Sequence, residues 1–392
     1  MDFFHNKKIE GASIKRIYMD KIKVLMVLGN TKMGGTQAFI LNLLKNIDLN
    51  RFQVDLAINS EEKVGGIGED VKQMGCHIYF WPYYKVYNKH SFVKFWHDFF
   101  VEHPYDIVHG HSTNSAAVYL GVAKKMGCKT IAHSHSAGYR GSKIQQWLKK
   151  YYARQVGEVA DYWFACSDKA AERLYGVDYR KYPRYYDIPN AINAENYLYD
   201  DNKAKAIRQQ LGVADDEFLC GHVGTFSVPK NHLFLMDIFR EVVKLSPKSK
   251  LVCCGAGALM PQVKEKAASL GIIDKIIFPG VVKNCNEYMM AMDTFVFPSL
   301  FEGFPVSVIE AEAAGLNVVM SNVITNEVDL TPCIHRCSLS DSAIIWAKTI
   351  CNLKKMNRQY YNKAIVESKY NMRTSIKLIT RLYDNMTKNK SI

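Results

Sequence analysis

The sequence predicts an α/β protein built from two doubly wound, parallel-sheet units. Three observations carry this. Short β-branched or apolar runs alternate with longer helical patterns along most of the chain, the signature of repeated βα units. A stretch rich in Tyr, Asp, Asn and Pro, residues 176–202, interrupts the alternation and suits an interdomain linker. The length, 392 residues, is enough for two domains that each bury a core.

In the first series, strands are expected at Lys23–Leu28, Val54–Ile58, His77–Trp81, Asp106–His109, Thr130–His133 and Tyr162–Cys166. Apolar spacing predicts helices at Thr36–Asn46, Val64–Met74, Ser91–Val101, Ser115–Met126 and Lys143–Val159. The second series has expected strands at Leu219–Val223, Lys250–Cys254, Lys275–Phe278, Thr294–Phe297 and Asn317–Met320. Its helices are expected at His232–Leu245, Leu259–Leu270, Cys285–Met292 and Val306–Ala314, and Ala343–Thr387 reads as successive helices without strands. The expected division is an extension over 1–20, a first domain over 21–190, a second over 203–365, and a final helix in 366–392 that returns to the first domain.

Hydrophobic residues make up 48% and charged residues 23%, a balance that excludes disordered and collagenous classes. No run approaches 18 apolar residues and the first twenty lack an apolar h-region, so a cytoplasmic protein is expected. The ten cysteines include no CxxC pair, which argues against a zinc ribbon or disulfide framework and for reduced, buried thiols. Lys plus Arg exceed Asp plus Glu by 51 − 38 = 13. Ile107–Gly157 contains no acid at all and carries Lys124, Lys125, Lys129, Arg140, Lys143, Lys149, Lys150 and Arg154. Such a field attracts nucleic acid, anionic membrane or phosphorylated small molecules. No nucleic-acid recognition module is visible, so no nucleic-acid partner is expected.

The densest chemical signal is PSLFEGFPVSVIEAEAAG, residues 298–315, where Glu302 and Glu310 lie eight apart with Gly303-Phe304-Pro305 between them. Pro305 suits the first helical position, so Gly303 and Phe304 form the helix start and leave backbone N–H groups that attract phosphate. Glu310, about a turn and a half inside, has a carboxylate suited to vicinal hydroxyls such as those of a ribose. A plainer alternative is that these acids offset the helix macrodipole.

Gly34-Gly35 after the first strand lets backbone approach a ligand, or makes an ordinary strand-to-helix turn. Lys230 follows the first strand of the second series, as a diphosphate-neutralising cation or as a solvated surface lysine. His109-Gly110-His111 and His133-Ser134-His135 sit at expected strand ends, where residues i and i+2 share a face and two pairs could hold a divalent metal. A metal-dependent hydrolase would also want carboxylates, which the 51-residue segment Ile107–Gly157 lacks. The helix Lys143–Arg154 reads either as a core helix with a solvated face or as a dock for anionic membrane through Lys143, Lys149, Lys150 and Arg154.

Together these segments resemble the retaining glycosyltransferases of family 4. The resemblance covers nearly the whole chain from about Ile22. It rests on the E-x7-E pair, on Asp293–Ser299 leading into it, on Gly34-Gly35, and on Val223-Gly224 with Lys230-Asn231. Gly255-Ala256-Gly257 and Phe278-Pro279-Gly280-Val281 agree with it. The resemblance implies the GT-B fold: two Rossmann-like domains facing a cleft, with C-terminal helices, the first taking the acceptor and the second most of the nucleotide-sugar donor. It implies Glu302 beside the transferring sugar, Glu310 on the ribose, and Gly34 and Gly35 near the diphosphate or sugar. It also puts His135 close to the transferring sugar, and Lys230 with the helix start Phe304, Pro305, Val306 and Ser307 on the leaving diphosphate. Thr225 departs from the pattern, because it stands where the family usually has arginine and offers only a neutral hydrogen bond. Arg140 is the candidate replacement cation.

The function so implied is transfer of a sugar from a UDP-sugar to a glycan or polyprenyl-linked acceptor in capsular or other surface polysaccharide synthesis. No metal or cofactor is expected. A nucleotide-sugar epimerase of similar two-domain build is the main alternative.

Overall fold

The most apolar runs of each series form the centres of two parallel sheets. The computed structural model describes residues 21–32, 34–59, 66–113, 115–135, 155–354 and 356–388. In the first sheet β1 (Ile22–Leu28) lies between β2 (Phe52–Ile58) and β4 (Ile107–Gly110), with β3 (Ile78–Phe80), β5 (Lys129–Ser134), β6 (Tyr162–Ala165) and β7 (Tyr185–Asp187) completing the order 3-2-1-4-5-6-7. All its recorded pairings are parallel. Val24 to Leu28 are at most 1% exposed, covered on both faces, and so read as a continuous apolar run instead of an alternation.

One face is closed by the helices Gly35–Asn46 and Met372–Lys388, which bring Phe39, Ile40, Leu43 and Leu44 against Ile376, Ile379 and Tyr383. The other face is closed by Lys89–Glu102 and Ala116–Lys125 around Trp96 and Tyr119.

The second sheet repeats the plan. Its order is β10 (Ile276–Gly280), β9 (Ser249–Cys254), β8 (Phe218–Val223), β11 (Thr294–Phe297), β12 (Asn317–Ser321), β13 (Ile334–Cys337), again parallel. In both sheets the winding reverses beside the first strand, between β1 and β4 and between β8 and β11. Doubly wound sheets bind ligands in the crevice beyond the carboxyl ends at that reversal.

The chain passes between the sheets twice, and the two passages touch. Ile192 N–H donates to Tyr370 C=O at 2.9 Å, and Met372 N–H donates to Ile192 C=O at 2.7 Å. The helix Met372–Lys388 then runs back over the first sheet, where Arg51 pairs with Asp384 and the Tyr383 hydroxyl lies 2.7 Å from Nδ1 of the fully buried His109.

Several elements differ from expectation. The stretch read as a linker, 176–202, contributes β7 to the sheet edge, and β13 forms the opposite edge of the second sheet. Both are short and lie among partly exposed polar residues, so they carry little period-two signal. The helices Asp168–Tyr175 and Asp201–Gln210 were also unforeseen, although Ser167 Oγ accepts from Ala170 N–H and Asp200 Oδ1 from Asn202 and Lys203 N–H as side-chain caps. Residues 1–20, and Arg140, Lys143, Lys149, Lys150 and Arg154, lie outside the described residues. No disulfide joins any of the ten cysteines, and eight of them are buried. Among the described residues no helix is long and apolar enough to cross a membrane.

One buried acid organises the second sheet. Glu312, in the helix Val306–Ala313, is fully buried, and its Oε1 accepts from Leu330 N–H, Thr331 N–H and Thr331 Oγ1 at 3.2, 2.9 and 2.8 Å. Burial pushes its carboxyl up to about 8.

Two stability predictions follow from these contacts. Tyr383→Phe leaves His109 Nδ1 unpaired in the core and should cost about 1–3 kcal/mol in denaturant unfolding, whereas an unchanged midpoint would mean that the hydroxyl contributes nothing. For Glu312 the folded protein holds a proton that the unfolded chain releases above its ordinary range near 4.5. Its contribution is therefore complete at low pH and is lost as pH rises toward 8, by up to about 1.4 kcal/mol per pH unit. Glu312→Gln keeps the acceptor oxygen and should flatten that fall. Parallel stability curves for wild type and variant between pH 5 and 8 would refute it.

Candidate active site

The loops beyond the reversal in the second sheet gather Lys230, Glu302, Glu310 and the helix start at 303–307. Lys230 ends a short 3-10 turn, Val228–Lys230, after β8. Its stem runs over Gly224, where a Cβ would meet Lys230 Cδ and Cε at 3.2 Å, so the glycine makes room for the lysine. The ammonium lies 4.6 Å from the Phe297 ring centroid and 2.7 Å from Glu302 Oε1. Among the described residues that oxygen receives no aligned hydrogen bond, so the contact is a Coulombic pair, with side-chain exposures of 18% and 14%. Asn231, at φ 55°, turns the chain into the helix His232–Leu245 and donates through Nδ2 to Pro298 C=O at 3.1 Å. Leu300 N–H donates to Pro229 C=O at 2.8 Å, which ties the two loops together.

The start of the helix Val306–Ala313 differs in detail from expectation. Pro305 occupies the cap position, one residue earlier than the first helical position. Val306 N–H is satisfied by Phe304 C=O at 3.1 Å and is not free for a ligand, because the chain tightens into a turn there. The N–H groups of Gly303, Phe304 and Ser307 have no acceptor among the described residues. No acid stands in the first turn, so the N-terminal partial charge is uncompensated from within the helix. The Phe304 ring stacks on Tyr370 at 5.3 Å. Glu310, half-buried on the next turn, accepts from the Tyr197 hydroxyl at 2.7 Å through Oε1. Desolvation raises its carboxyl, opposed by that hydrogen bond and by the charge of Lys230.

Beside this group, three strand-end loops interlock. A Cβ at Gly255, whose φ is +141°, would meet Gly224 C=O at 2.1 Å, and one at Gly257 would meet Phe226 C=O at 2.4 Å. Phe226 N–H donates to Ala256 C=O at 3.0 Å, and Gly255 N–H to Gly280 C=O at 2.8 Å. The Gly-Ala-Gly spacing is therefore a requirement of close backbone approach. Thr225 is exposed on this ledge.

In the first sheet the four histidines come together on one face beyond β4 and β5. The Ile188 carbonyl can only accept, so a neutral His133 carries its proton on Nε2, 3.2 Å from that oxygen. His133 Nδ1 must then accept from His109 Nε2–H at 3.1 Å, and His109 Nδ1 accepts from the Tyr383 hydroxyl. A second pair joins His111 Nδ1 to His135 Nε2 at 2.8 Å, with His135 Nδ1 3.1 Å from Asn190 Oδ1. Desolvation holds all four imidazoles low, His135 at about 4.

Nitrogens of His109, His111 and His133 lie close enough together to share a metal ion. Both nitrogens of His109 and His133 already have protein partners, and among the described residues no carboxylate joins the group. The donor set therefore fits a hydrogen-bonded network better than the hydrolase site weighed above. Among the described residues, His111 Nε2 is the one nitrogen of the four rings with no hydrogen-bond partner. Gly35 opens the helix Gly35–Asn46, with Gly34 at its cap in extended conformation, and a Cβ at Gly35 would meet Asn190 Nδ2 at 3.3 Å.

The structure thus groups Lys230 with Glu302, Glu310 with Tyr197, and His135 with His111 and Asn190 near Gly35. Among the described residues no hydrogen bond or ion pair joins the His135 cluster to the second-sheet cluster. Sequence reasoning missed Asn190, Tyr197 and Tyr370, which lie where no periodic pattern marks them. A cavity of about 620 Å³ lined by Tyr199, Arg208, Asp293 and Arg358 lies at the opposite, amino-terminal end of the second sheet. It holds none of these residues.

Comparison with known proteins bears on the family and the fold. Residues 33–196 match the family model described as Glycosyltransferase Family 4, and residues 217–339 match Glycosyl transferases group 1. The putative glycosyltransferase EpsF of Bacillus subtilis (strain 168) is 26% identical over 373 residues, covering 93% of this chain and 97% of its own. The UDP-Gal:alpha-D-GlcNAc-diphosphoundecaprenol alpha-1,3-galactosyltransferase of Escherichia coli is 26% identical over 57% of this chain and 59% of its own. The solved structure of Anabaena Alr3699/HepE in complex with UDP superposes with a TM-score of 0.76 at 16% identity, covering 93% of this chain and 100% of that one. Two Rossmann-like sheets with their polar loops at the winding reversals, and two family models that follow one another along the sequence, lead to one assignment: the chain belongs to the family 4 glycosyltransferases of GT-B fold.

Proposed function

We propose that this enzyme moves a sugar, with retention of configuration, from a UDP-sugar to a glycan or polyprenyl-linked acceptor in surface polysaccharide synthesis, using no metal or cofactor. The observation that carries the reading is the grouping of Lys230, Glu302, Glu310 and three unbonded backbone N–H groups beyond one winding reversal. The donor finds support in the UDP and UDP-glucose complexes of Anabaena HepE, and the acceptor in the diphosphoundecaprenol named for the Escherichia coli relative. Lys143, Lys149, Lys150 and Arg154 belong to this reading as a basic surface for an anionic membrane.

In the transfer step the bond between the anomeric carbon and the β-phosphate oxygen breaks. The acceptor hydroxyl oxygen bonds to that carbon on the same face, and its proton passes to the departing phosphate oxygen. Charge develops on the diphosphate, where Lys230 and the N–H groups of Gly303, Phe304 and Ser307 stabilise it. Lys230 exchanges Glu302 for phosphate, which frees Glu302 for the sugar hydroxyls. Glu310 keeps one oxygen on Tyr197 and offers the other to the ribose. Gly34 and Gly35 admit the donor to the first sheet, and His135 turns from His111 to a sugar hydroxyl. Mass detection with a panel of nucleotide sugars and a membrane lipid extract, followed by the anomeric configuration of the product, tests the whole reading. Turnover without acceptor, or an inverted product, would sink it.

Two variants probe its parts. His135→Ala should lower turnover by more than about tenfold while UDP affinity stays within about twofold, because the histidine acts only on the sugar. Turnover should also survive EDTA; loss on chelation with recovery on zinc would return the histidine cluster to a metal role. Thr225→Arg should tighten UDP binding by about 1.5–3 kcal/mol, the worth of a charged hydrogen bond, with little change in kcat. Unaltered affinity in calorimetry would remove this strand end from the diphosphate site.

A further inference from the structure

We infer that Tyr197 is a positioning residue for the nucleotide: its hydroxyl holds Oε1 of Glu310 and leaves Oε2 as the oxygen that meets the ligand. This rests on the reading of Glu310 as the ribose acceptor. Tyr197 lies outside the E-x7-E segment, on the 3-10 turn Ala194–Tyr197 between the two sheets, with its ring in the second core.

The turn is fastened to the helix carrying Glu310 at two points. Asn362 Nδ2 donates to Ala194 C=O at 3.0 Å and to Ala313 C=O at 2.7 Å, so one amide bridges the start of the turn and the end of the helix. Tyr197 OH to Glu310 Oε1, at 2.7 Å, closes the other end. A carboxylate held through one oxygen by a fixed donor loses its rotational freedom before the ligand arrives, which is the usual gain from pre-organisation. Oε2 has no hydrogen-bond partner among the described residues.

The electrostatics point the same way. Glu310 is faced by Tyr197, by Lys230 and by the thiol of Cys285. Burial pushes that thiol and the Tyr197 phenol upward, so both are neutral, and the phenol can only donate to the carboxylate. Lys230 is committed to Glu302. Desolvation favours the protonated form of Glu310, and Tyr197 is its direct hydrogen-bond donor among the described residues. Without the hydroxyl, Glu310 takes up a proton nearer to neutral pH and loses the charge-assisted part of its bond to the ribose.

The test is calorimetric titration with UDP of wild type, Tyr197→Phe and Glu310→Gln between pH 5.5 and 8.5, after confirming equal melting temperatures. Tyr197→Phe keeps the buried ring. Titration of the diphosphate itself is common to all three proteins and cancels in ratios. Tyr197→Phe should bind UDP within about threefold of wild type at pH 8.5 and about tenfold more weakly than wild type at pH 6. Glu310→Gln should be weakened by about tenfold or more at high pH. A ratio of Tyr197→Phe to wild type that stays near unity at every pH would overturn the positioning role while leaving Glu310 on the ribose, whereas a loss that is equal at every pH would keep pre-organisation as its cause and remove the protonation argument. Wild-type affinity in Glu310→Gln would overturn the ribose reading and this inference with it.

Discussion

The two hydrogen bonds between Ile192 and residues 370 and 372 are the constraint on which the rest of this molecule turns. They join the outward and return passages of the chain between sheets and so decide where the last helix can go. That helix completes the core of the first sheet, contributing Ile376, Ile379 and Tyr383 to a cluster that otherwise belongs to residues 24–191. The same crossing places Tyr370 under the Phe304 ring and its hydroxyl on Glu327 C=O at 2.9 Å. Glu327 in turn reaches the first half of the molecule, accepting from Asp168 N–H at 3.4 Å. The loop carrying Phe304 is thus packed directly on the segment that connects the sheets.

Charge is used sparingly where the chemistry is assigned. The chain carries an excess of 13 basic groups, yet the cation at the site is held internally by Glu302 and over an aromatic ring. The deeper titratable groups are pressed toward neutrality by burial, the four clustered histidines downward and Glu312 upward. Such groups act through directed hydrogen bonds instead of field. In the histidine network one backbone carbonyl, Ile188, sets the tautomer of two imidazoles and the direction of the Tyr383 hydroxyl, since a carbonyl has no proton to give. Glycine serves the same economy. At positions 255 and 257 it lets loops lie closer than any side chain would permit, and at 224 it leaves room beside the lysine stem.

What the sequence by itself determined was the pair of doubly wound sheets and the place of the E-x7-E segment at a strand-to-helix turn. Both are local signals: continuous apolar runs for central strands, 3.6-residue periodicity for covering helices, and a carboxylate pair eight apart around a Gly-Phe-Pro turn. Helices such as Asp168–Tyr175 were readable from their caps, but a polar, tyrosine-rich setting masked them. Only the tertiary structure decided the rest. It paired Lys230 with Glu302, set Tyr197 on Glu310 across 113 positions, and brought Tyr383 to His109 across 274. These partners have no periodic relation to one another, because each pair is created by two separate elements meeting. Edge strands β7 and β13 were hidden for a related reason: an edge is half solvated, so its residues need not be apolar, and its place is set by the neighbour it joins.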